Sequence, residues 1–476
     1  MYYLWWQCCV WFETGCWLVN EETLQVCSVY NMIIFTSKNN RYIYNQFTND
    51  ILVVPDAYNS LKDSEIQDDL SQLLETQHIS FESPNLENSD KTHSLIINIT
   101  NYCNLRCSYC AYSEHYPFER EHENRSIEFD VAIKAIDEYV NRSEGVEFRH
   151  ISMYGGEPST EPKLVSRIIE YAKKKANNFK FSVCTNGYSM SNEWIQLLVQ
   201  NEAQLQISID GDKESHDRYR VDKSGRGSFD RVVSNLNKLS TQAPSYYKSC
   251  VYFVVTLSPP YTLTRLYELY NNNELFHQPW YINFVKPTDT TFIDSLNLSK
   301  QDFDFSSQEL HLANEYINAS INGDAQNHFG YWFFGELVKG IHFREFTPSN
   351  KIWINGCCNP GVDKLFVDCN GDYFPCERSG SFMKLGNVEI GVDFDKSQDV
   401  VNQYTEDCNI NCKTCPNVRF CDACYLGSKN GHVFELSSKY KFCHKRIAKL
   451  KLALYIYCSV LEVNNSAFDV FTISHI

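Results

Sequence analysis

From residue 93 onward, short apolar β-rich runs alternate with helical stretches, and few folds accept that order. The runs lie at 93–100 (HSLIINIT), 148–155, 179–186, 203–210, 251–257 and 281–287. Helical patterns fall between them, near 126–141, 161–176, 190–201, 228–240 and 263–272. Within 161–176, Leu164, Val165, Ile168, Ile169 and Ala172 share one face, which is the 3.6-residue signature of an amphipathic helix. Strands alternating with helices make parallel units. Six of them predict an α/β fold, a partial (β/α)6 TIM-like barrel. Sites in such barrels form at the C-terminal ends of the strands, so the residues that follow each run carry the functional argument.

Cysteine is the second constraint. The chain of 476 residues holds 20 cysteines. Thirteen of them lie within Cys103–Cys110 and Cys357–Cys443, many at intervals of two to five residues. Disulfide scaffolds are small and secreted, whereas clustered thiols at such spacing suit metal ligation. Residues 1–19 are apolar and aromatic but lack a basic start and contain Glu13, so they read neither as a signal peptide nor as a membrane span. These features predict a reduced, cytoplasmic chain with no membrane segment. Lys plus Arg is 43 against 59 for Asp plus Glu, a net charge of −16. Tracking a phosphate backbone requires a basic footprint, so no nucleic-acid partner is expected.

Met32 begins a cleaner sequence than Met1, and residues 1–31 look like an upstream extension or start-site artefact, with a divergent N-terminal strand region as the equal alternative. Residues 33–36 and 41–44 read as a hairpin across SKNN, followed by a helix near 63–76, which together suggest a small domain at 32–80. A linker at 81–92 leads to the barrel at 93–300. A helical bridge at 301–350 follows, then a cysteine-rich unit at 351–450 whose weak periodicity suggests a fold held by metal, and a tail at 451–476. The stretch KRIAKLKLALYIYCSVLEV after Cys443 reads as a helix packing on that unit.

Directly after the first barrel run stands Cys103-Asn-Leu-Arg-Cys107-Ser-Tyr-Cys110. A cubane iron–sulfur cluster normally takes four thiolates. Three at this spacing leave one iron open to a ligand carrying amino and carboxylate groups. A zinc knuckle with its fourth ligand elsewhere stays open on spacing alone.

CNLRCSYC after a strand resembles the signature of the radical SAM superfamily, and the other superfamily elements follow in order. Tyr154-Gly155-Gly156-Glu157-Pro158 resembles the motif that holds the amino group of S-adenosylmethionine. Asn186, in Thr185-Asn186-Gly187, and Ser208 and Asp210, in Ser208-Ile209-Asp210-Gly211, match positions near the ribose and methionyl parts. Arg220, which ends His216-Asp217-Arg218-Tyr219-Arg220, matches the arginine that pairs with the cofactor carboxylate. By the same resemblance Tyr109 contacts the adenine, with Val285 beside it. The resemblance implies a [4Fe–4S] cluster on Cys103, Cys107 and Cys110. It also implies reductive cleavage of S-adenosylmethionine to a 5′-deoxyadenosyl radical, with flavodoxin or ferredoxin as electron donor.

The second group of cysteines resembles a SPASM domain, which carries two auxiliary [4Fe–4S] clusters. Cys358, Gly371 and Cys376 fit C-x(9–15)-G-x4-C, and Cys412, Cys415 and Cys421 fit C-x2-C-x5-C. Cys424 follows after two residues where the pattern has three, and Cys443 takes the final position. The resemblance assigns Cys358, Cys376 and Cys424 to one cluster, with Cys357 or Cys369 as a further ligand. It assigns Cys412, Cys415, Cys421 and Cys443 to the other. A pair of structural zinc sites is the alternative. Cys408-x3-Cys412-x2-Cys415 repeats the CxxxCxxC spacing but lacks a preceding barrel strand.

SPASM proteins mostly modify peptides or proteins. One branch oxidises a Cys or Ser of sulfatases to formylglycine and places an aspartate base after the G-x4-C cysteine. Glu377 stands there in this chain; a carboxylate can still act as a base, but the change from aspartate weighs against the sulfatase-maturase reading. The hairpin and helix at 33–78 resemble winged-helix-like domains that capture an extended leader peptide by strand addition. The phrase CSYCAYSEHYPFEREH is similar to maturases that form thioethers from cysteines. The expected function is therefore crosslinking of a ribosomally made peptide, with formylglycine formation as the alternative. A tRNA-modifying enzyme would be expected to carry a basic module, and a non-catalytic metal scaffold would need none of the cofactor motifs.

Overall fold

The computed structural model describes residues 32–73, 79–86, 91–286, 288–353 and 357–471. The expected extension at 1–31 and the centre of the linker lie outside the described residues.

The alternating pattern builds six strands: Ser94–Thr100, Arg149–Gly155, Phe179–Thr185, Gln204–Ser208, Val251–Leu257 and Trp280–Phe284. Each pairs in parallel with the next. Their helices follow the sequence expectation closely, as in Phe129–Arg142, Pro162–Lys175, Asn192–Gln200, Phe229–Gln242 and Leu263–Asn272. Pro162–Lys175 shows why. Proline opens its first turn, Lys173, Lys174 and Lys175 face the negative end of its dipole, and Val165, Ile168, Ile169 and Ala172 are buried. Each large apolar side chain buried on such a face contributes about 1.5–3 kcal/mol. An aspartate at Val165 would place an unpaired charge under the sheet.

Side chains alternate across each strand. Ile151, Met153, Phe181, Val183, Leu205 and Ile207 enter the core beneath the helices. The residues between them, including Tyr154, Cys184 and Ser208, therefore line the inner face of the barrel.

The sheet does not stop at the first strand. Leu365–Val367 pairs in parallel with it, Leu365 opposite Leu95 and Val367 opposite Ile97. Asp372–Phe374 then adds in antiparallel. The cysteine-rich region thus begins as an extension of the barrel sheet and covers backbone that would otherwise form an open edge.

At the other end of the chain, Met32–Thr36, Arg41–Asn45 and Asp50–Val53 form a three-stranded antiparallel sheet, and the helix Asp63–Leu73 follows. The third strand (DILV) was not expected from the sequence. The sheet docks on the C-terminal part of the chain. Glu462 accepts hydrogen bonds from Asn40 Nδ2 at 2.8 Å and Asn39 Nδ2 at 3.1 Å, and Arg344 Nε donates to Asn49 O at 2.9 Å. The helix Cys443–Leu461 runs unbroken past position 450. It packs on Ser306–Ile321, Glu336–His342 and the first N-terminal strand. No described helix is long and apolar enough to cross a membrane.

Candidate active site in the barrel mouth

The loop after the first strand carries Cys103, Cys107 and Cys110. It is stitched to the segment before the fourth barrel helix: Arg106 N donates to Val221 O at 2.7 Å and Ser108 N to Tyr219 O at 3.0 Å. This pairing sets Arg220 beside the cysteine loop. Burial pushes all three thiols above their ordinary value, Cys110 to about 12. Iron reverses that preference, because a coordinating thiol is deprotonated outright. Among the described residues no three or more His, Cys, Asp or Glu side chains gather around one metal-ion position; a cubane spreads its thiolates over separate irons.

Gly155 and Gly156 permit a close crossing of the second strand over this loop. A Cβ on Gly156 would lie 2.2 Å from Tyr102 O, and one on Gly155 2.4 Å from Thr100 O. In their place the backbone bonds directly, Gly156 N to Thr100 O at 2.6 Å and Glu157 N to Tyr102 O at 2.9 Å. Glu157 is fully buried. Its carboxylate accepts from Thr185 Oγ1 at 2.6 Å, Asn186 N at 2.7 Å and Ser159 N at 3.0 Å. The side chain therefore fixes the end of the third strand. Asn186 in turn donates to Asn104 Oδ1 at 2.7 Å and lies 3.5 Å from Cys103 Sγ.

The opposite wall gathers Tyr109, Asp210, Arg220 and Val285. Arg220 Nη1 donates to Tyr109 Oη at 2.7 Å, and that hydroxyl donates to Asp210. Asp210 also accepts from Thr256 N at 3.0 Å. Arg220 Nε is buried with no partner among the described residues. An orphaned guanidinium donor beside three thiols fits a ligand that brings a carboxylate to a metal cluster. Phe292 closes the aromatic side, with Tyr109 and Tyr219 edge-on to it at 6.3 and 5.3 Å, and Val285 packs in the same cluster. Ser208 lines the inner face below.

Sequence reasoning missed His216. Asp210 N–H donates to its Nδ1 at 3.3 Å, while Nε2 faces Ser228 Oγ at 2.9 Å. Ser228 spends its own hydrogen on Arg220 O at 2.8 Å, so His216 must donate from Nε2 and is neutral. One buried ring thus ties Asp210 to Arg220. Its place in HDRYR was visible, but its partners lie on the neighbouring loop.

Glu377 follows the added strand and turns toward the lumen. Its side chain is 11% exposed and lies 3.8 Å from Arg378 Nε, and Oε2 is buried without a hydrogen-bond partner among the described residues. Arg120 Nη1 holds its carbonyl at 2.7 Å. Above the mouth, Glu119 meets Lys429 at 2.7 Å and Lys286 at 3.0 Å, which ties the cysteine loop to the C-terminal region.

The C-terminal cysteines form two adjoining nests, with Tyr404 between them near Cys357 and Cys424 of one and Cys408 and Cys421 of the other. Cys358, Cys376 and Cys424 surround Tyr425, whose backbone N donates to Cys357 Sγ at 3.3 Å. Cys421 and Cys443 flank Arg446; Cys415 neighbours Cys421, and Cys412 neighbours Cys443. Cys369 is elsewhere. Its thiol donates to Asn98 O at 3.4 Å and it packs in the barrel core, because the added strands carry it back to the first barrel strand. Cys408 joins the second nest through Lys439 Nζ at 3.2 Å.

A model of the radical SAM superfamily matches residues 97–260. A serine-type anaerobic sulfatase-maturating enzyme of Bacteroides thetaiotaomicron is 34% identical over 60% of this chain and 69% of its own length. A cysteine-type anaerobic sulfatase-maturating enzyme of Clostridium novyi is 23% identical over 73% of this chain and 93% of its own. The solved structure of anSMEcpe with bound AdoMet shares the fold. It aligns at a TM-score of 0.58 and 20% identity, covering 79% of this chain and 99% of that one.

Proposed function

The chain belongs to the radical SAM superfamily of enzymes, and from that membership we propose that it matures a peptide substrate, joining a cysteine sulfur to carbon in a ribosomally made peptide. The observation that carries the reading is the lumen itself. A wall of Tyr109, Asp210 and Arg220 shares it with a carboxylate, Glu377, and the charges of Arg220 and Glu377 both act on Cys184 of the third strand.

Membership in the superfamily implies a [4Fe–4S] cluster and S-adenosylmethionine. Cys103, Cys107 and Cys110 would hold the cluster; Tyr109, Gly155, Gly156, Glu157, Asn186, Ser208, Asp210, Arg220 and Val285 would surround the nucleoside and its amino acid. Together the two groups would supply a 5′-deoxyadenosyl radical able to take a hydrogen atom from the substrate. Arg220 Nε would be the donor for the cofactor carboxylate. Glu157 acts through Thr185 and Asn186, as a positioning residue. Glu377 Oε2 takes the proton that leaves the substrate on oxidation. The Glu119–Lys429 pair closes the mouth against water. The two C-terminal nests would hold auxiliary [4Fe–4S] clusters, Cys357, Cys358, Cys376 and Cys424 in one and Cys412, Cys415, Cys421 and Cys443 in the other. A flavodoxin or ferredoxin would deliver the electron. The leader of the peptide would add to the strand Asp50–Val53, whose Leu52 and Val53 are each 56% exposed.

Formylglycine formation is the second reading. It rests on the 34% identity to a sulfatase-maturating enzyme and on a carboxylate in the position after Cys376.

Metal analysis of anaerobically reconstituted protein tests the reading. Three cubanes hold roughly twelve irons, and a Cys103/Cys107/Cys110→Ala variant keeps roughly eight. Zinc in the C-terminal nests, with roughly four irons in all, would remove the auxiliary clusters. Zinc alone would sink the radical reading.

A further inference from the structure

Cys184 is a thiol that neither the cluster motifs nor the nests employ. It sits on the third strand, one residue before Thr185 and two before Asn186, and alternation turns it inward. Deep in the protein yet partly accessible, it borders the open lumen and does not pack in the core. Its electrostatic neighbours are Glu157, Glu377 and Arg220. Two of these carry buried atoms with no partner among the described residues, Arg220 Nε and Glu377 Oε2, and Arg220 is only 6% exposed, so the inner face that carries the thiol keeps an unused donor and an unused acceptor for a ligand. Among the described residues Cys184 has no hydrogen-bond partner. Burial pushes its thiol up to about 12, so the sulfur keeps its hydrogen at neutral pH.

Resting on the radical SAM reading above, we infer that Cys184 is a hydrogen-atom donor to the nucleoside radical whenever no substrate lies between them. The step balances simply. The S–H bond of Cys184 breaks homolytically, and its hydrogen atom forms a C–H bond at the 5′ carbon, giving 5′-deoxyadenosine. Sulfur is oxidised by one electron to a thiyl radical. One electron from a low-potential iron–sulfur or flavin reductant, with a proton from water, restores the thiol. The S–H bond is weaker than the primary C–H bond formed, so the transfer runs downhill. It spares the cysteine loop, Tyr109 and the glycine backbone at 155–156, where loss of a hydrogen atom would damage the site.

A thiol hydrogen exchanges with solvent and a carbon-bound hydrogen does not, which gives a test needing no substrate. Reconstituted enzyme is incubated in D2O with S-adenosylmethionine and dithionite, and the isotopic mass of released 5′-deoxyadenosine is read. The expected result is one deuterium in most of the product from the native protein. In C184S, at equal iron content and thermal stability, deuterium falls at least fivefold. A second readout needs no turnover: at raised pH, where a fraction of the thiol ionises, S-adenosylhomocysteine slows iodoacetamide alkylation of Cys184, mapped by mass spectrometry, but leaves Cys250 unaffected. Equal deuterium in native protein and C184S, or 5′-deoxyadenosine without deuterium, overturns the role of Cys184 alone. Failure of both proteins to release 5′-deoxyadenosine overturns the radical reading and this role with it.

Discussion

Arg220 reaches the hydroxyl of Tyr109 at 2.7 Å, across 111 positions of chain. The tyrosine belongs to the cysteine loop and the arginine to the segment after the fourth barrel strand. Their contact closes the pocket wall from two sides, and Asp210 takes the hydroxyl's hydrogen. The guanidinium is thereby oriented with Nε left over.

That leftover donor predicts the behaviour of R220K. Lysine keeps the charge but loses the rigid fork. A hydrogen bond to a charged group contributes about 1.5–3 kcal/mol, so S-adenosylmethionine should bind about tenfold or more weakly. Equilibrium dialysis of the reconstituted protein measures it, and unchanged affinity would remove Arg220 from the cofactor site.

Gly156→Ala should damage the cluster loop without touching a cysteine. Its Cβ would meet Tyr102 O at 2.2 Å and Tyr102 C at 2.6 Å, both backbone atoms that cannot swing aside. Overpacking of this kind costs about 1–3 kcal/mol or more. Iron content of the reconstituted protein should fall by roughly four atoms.

His216 predicts a pH dependence. Burial and then the Arg220 charge hold its pKa well below the usual 6.5, while the unfolded chain takes the proton near pH 6.5. Below that pH the unfolded state binds more protons than the folded one, so stability falls as pH drops. The slope is about 1.4 kcal/mol per pH unit from this ring. Denaturant unfolding between pH 7 and 5 should show that component missing in H216Q. An unchanged slope in the variant would mean that the ring is protonated in the fold.

Glu119→Gln should loosen the roof. Glu119 and Lys429 are 4% and 2% exposed at their side chains. Removing one partner of a buried pair costs about 3–5 kcal/mol, because the remaining charge is stranded. Melting temperature should fall by several degrees, and the E119Q/K429M double variant should recover part of the loss.

The barrel was legible because its signals are local. Helix Pro162–Lys175 shows its buried face in Val165, Ile168, Ile169 and Ala172, and the cofactor motifs each follow a strand. The strand Leu365–Val367 was not legible. Three apolar residues have no period to read, and what makes them a strand is the open edge at Leu95–Ile97. The same joining explains Cys369, which spacing allowed as a cluster ligand and the sheet carries to Asn98.

By itself the sequence determined the order of strands and helices, the cysteine loop at the first strand end and the chemistry its residue types permit. Period and spacing are properties of neighbours in the chain. Only the tertiary structure decided what each motif does. The glycines at 155–156 serve a backbone crossing, Glu157 holds the third strand end, and His216 ties Asp210 to Arg220. Those roles are set by which atoms meet across the barrel mouth, and distance in space is not a function of distance along the chain.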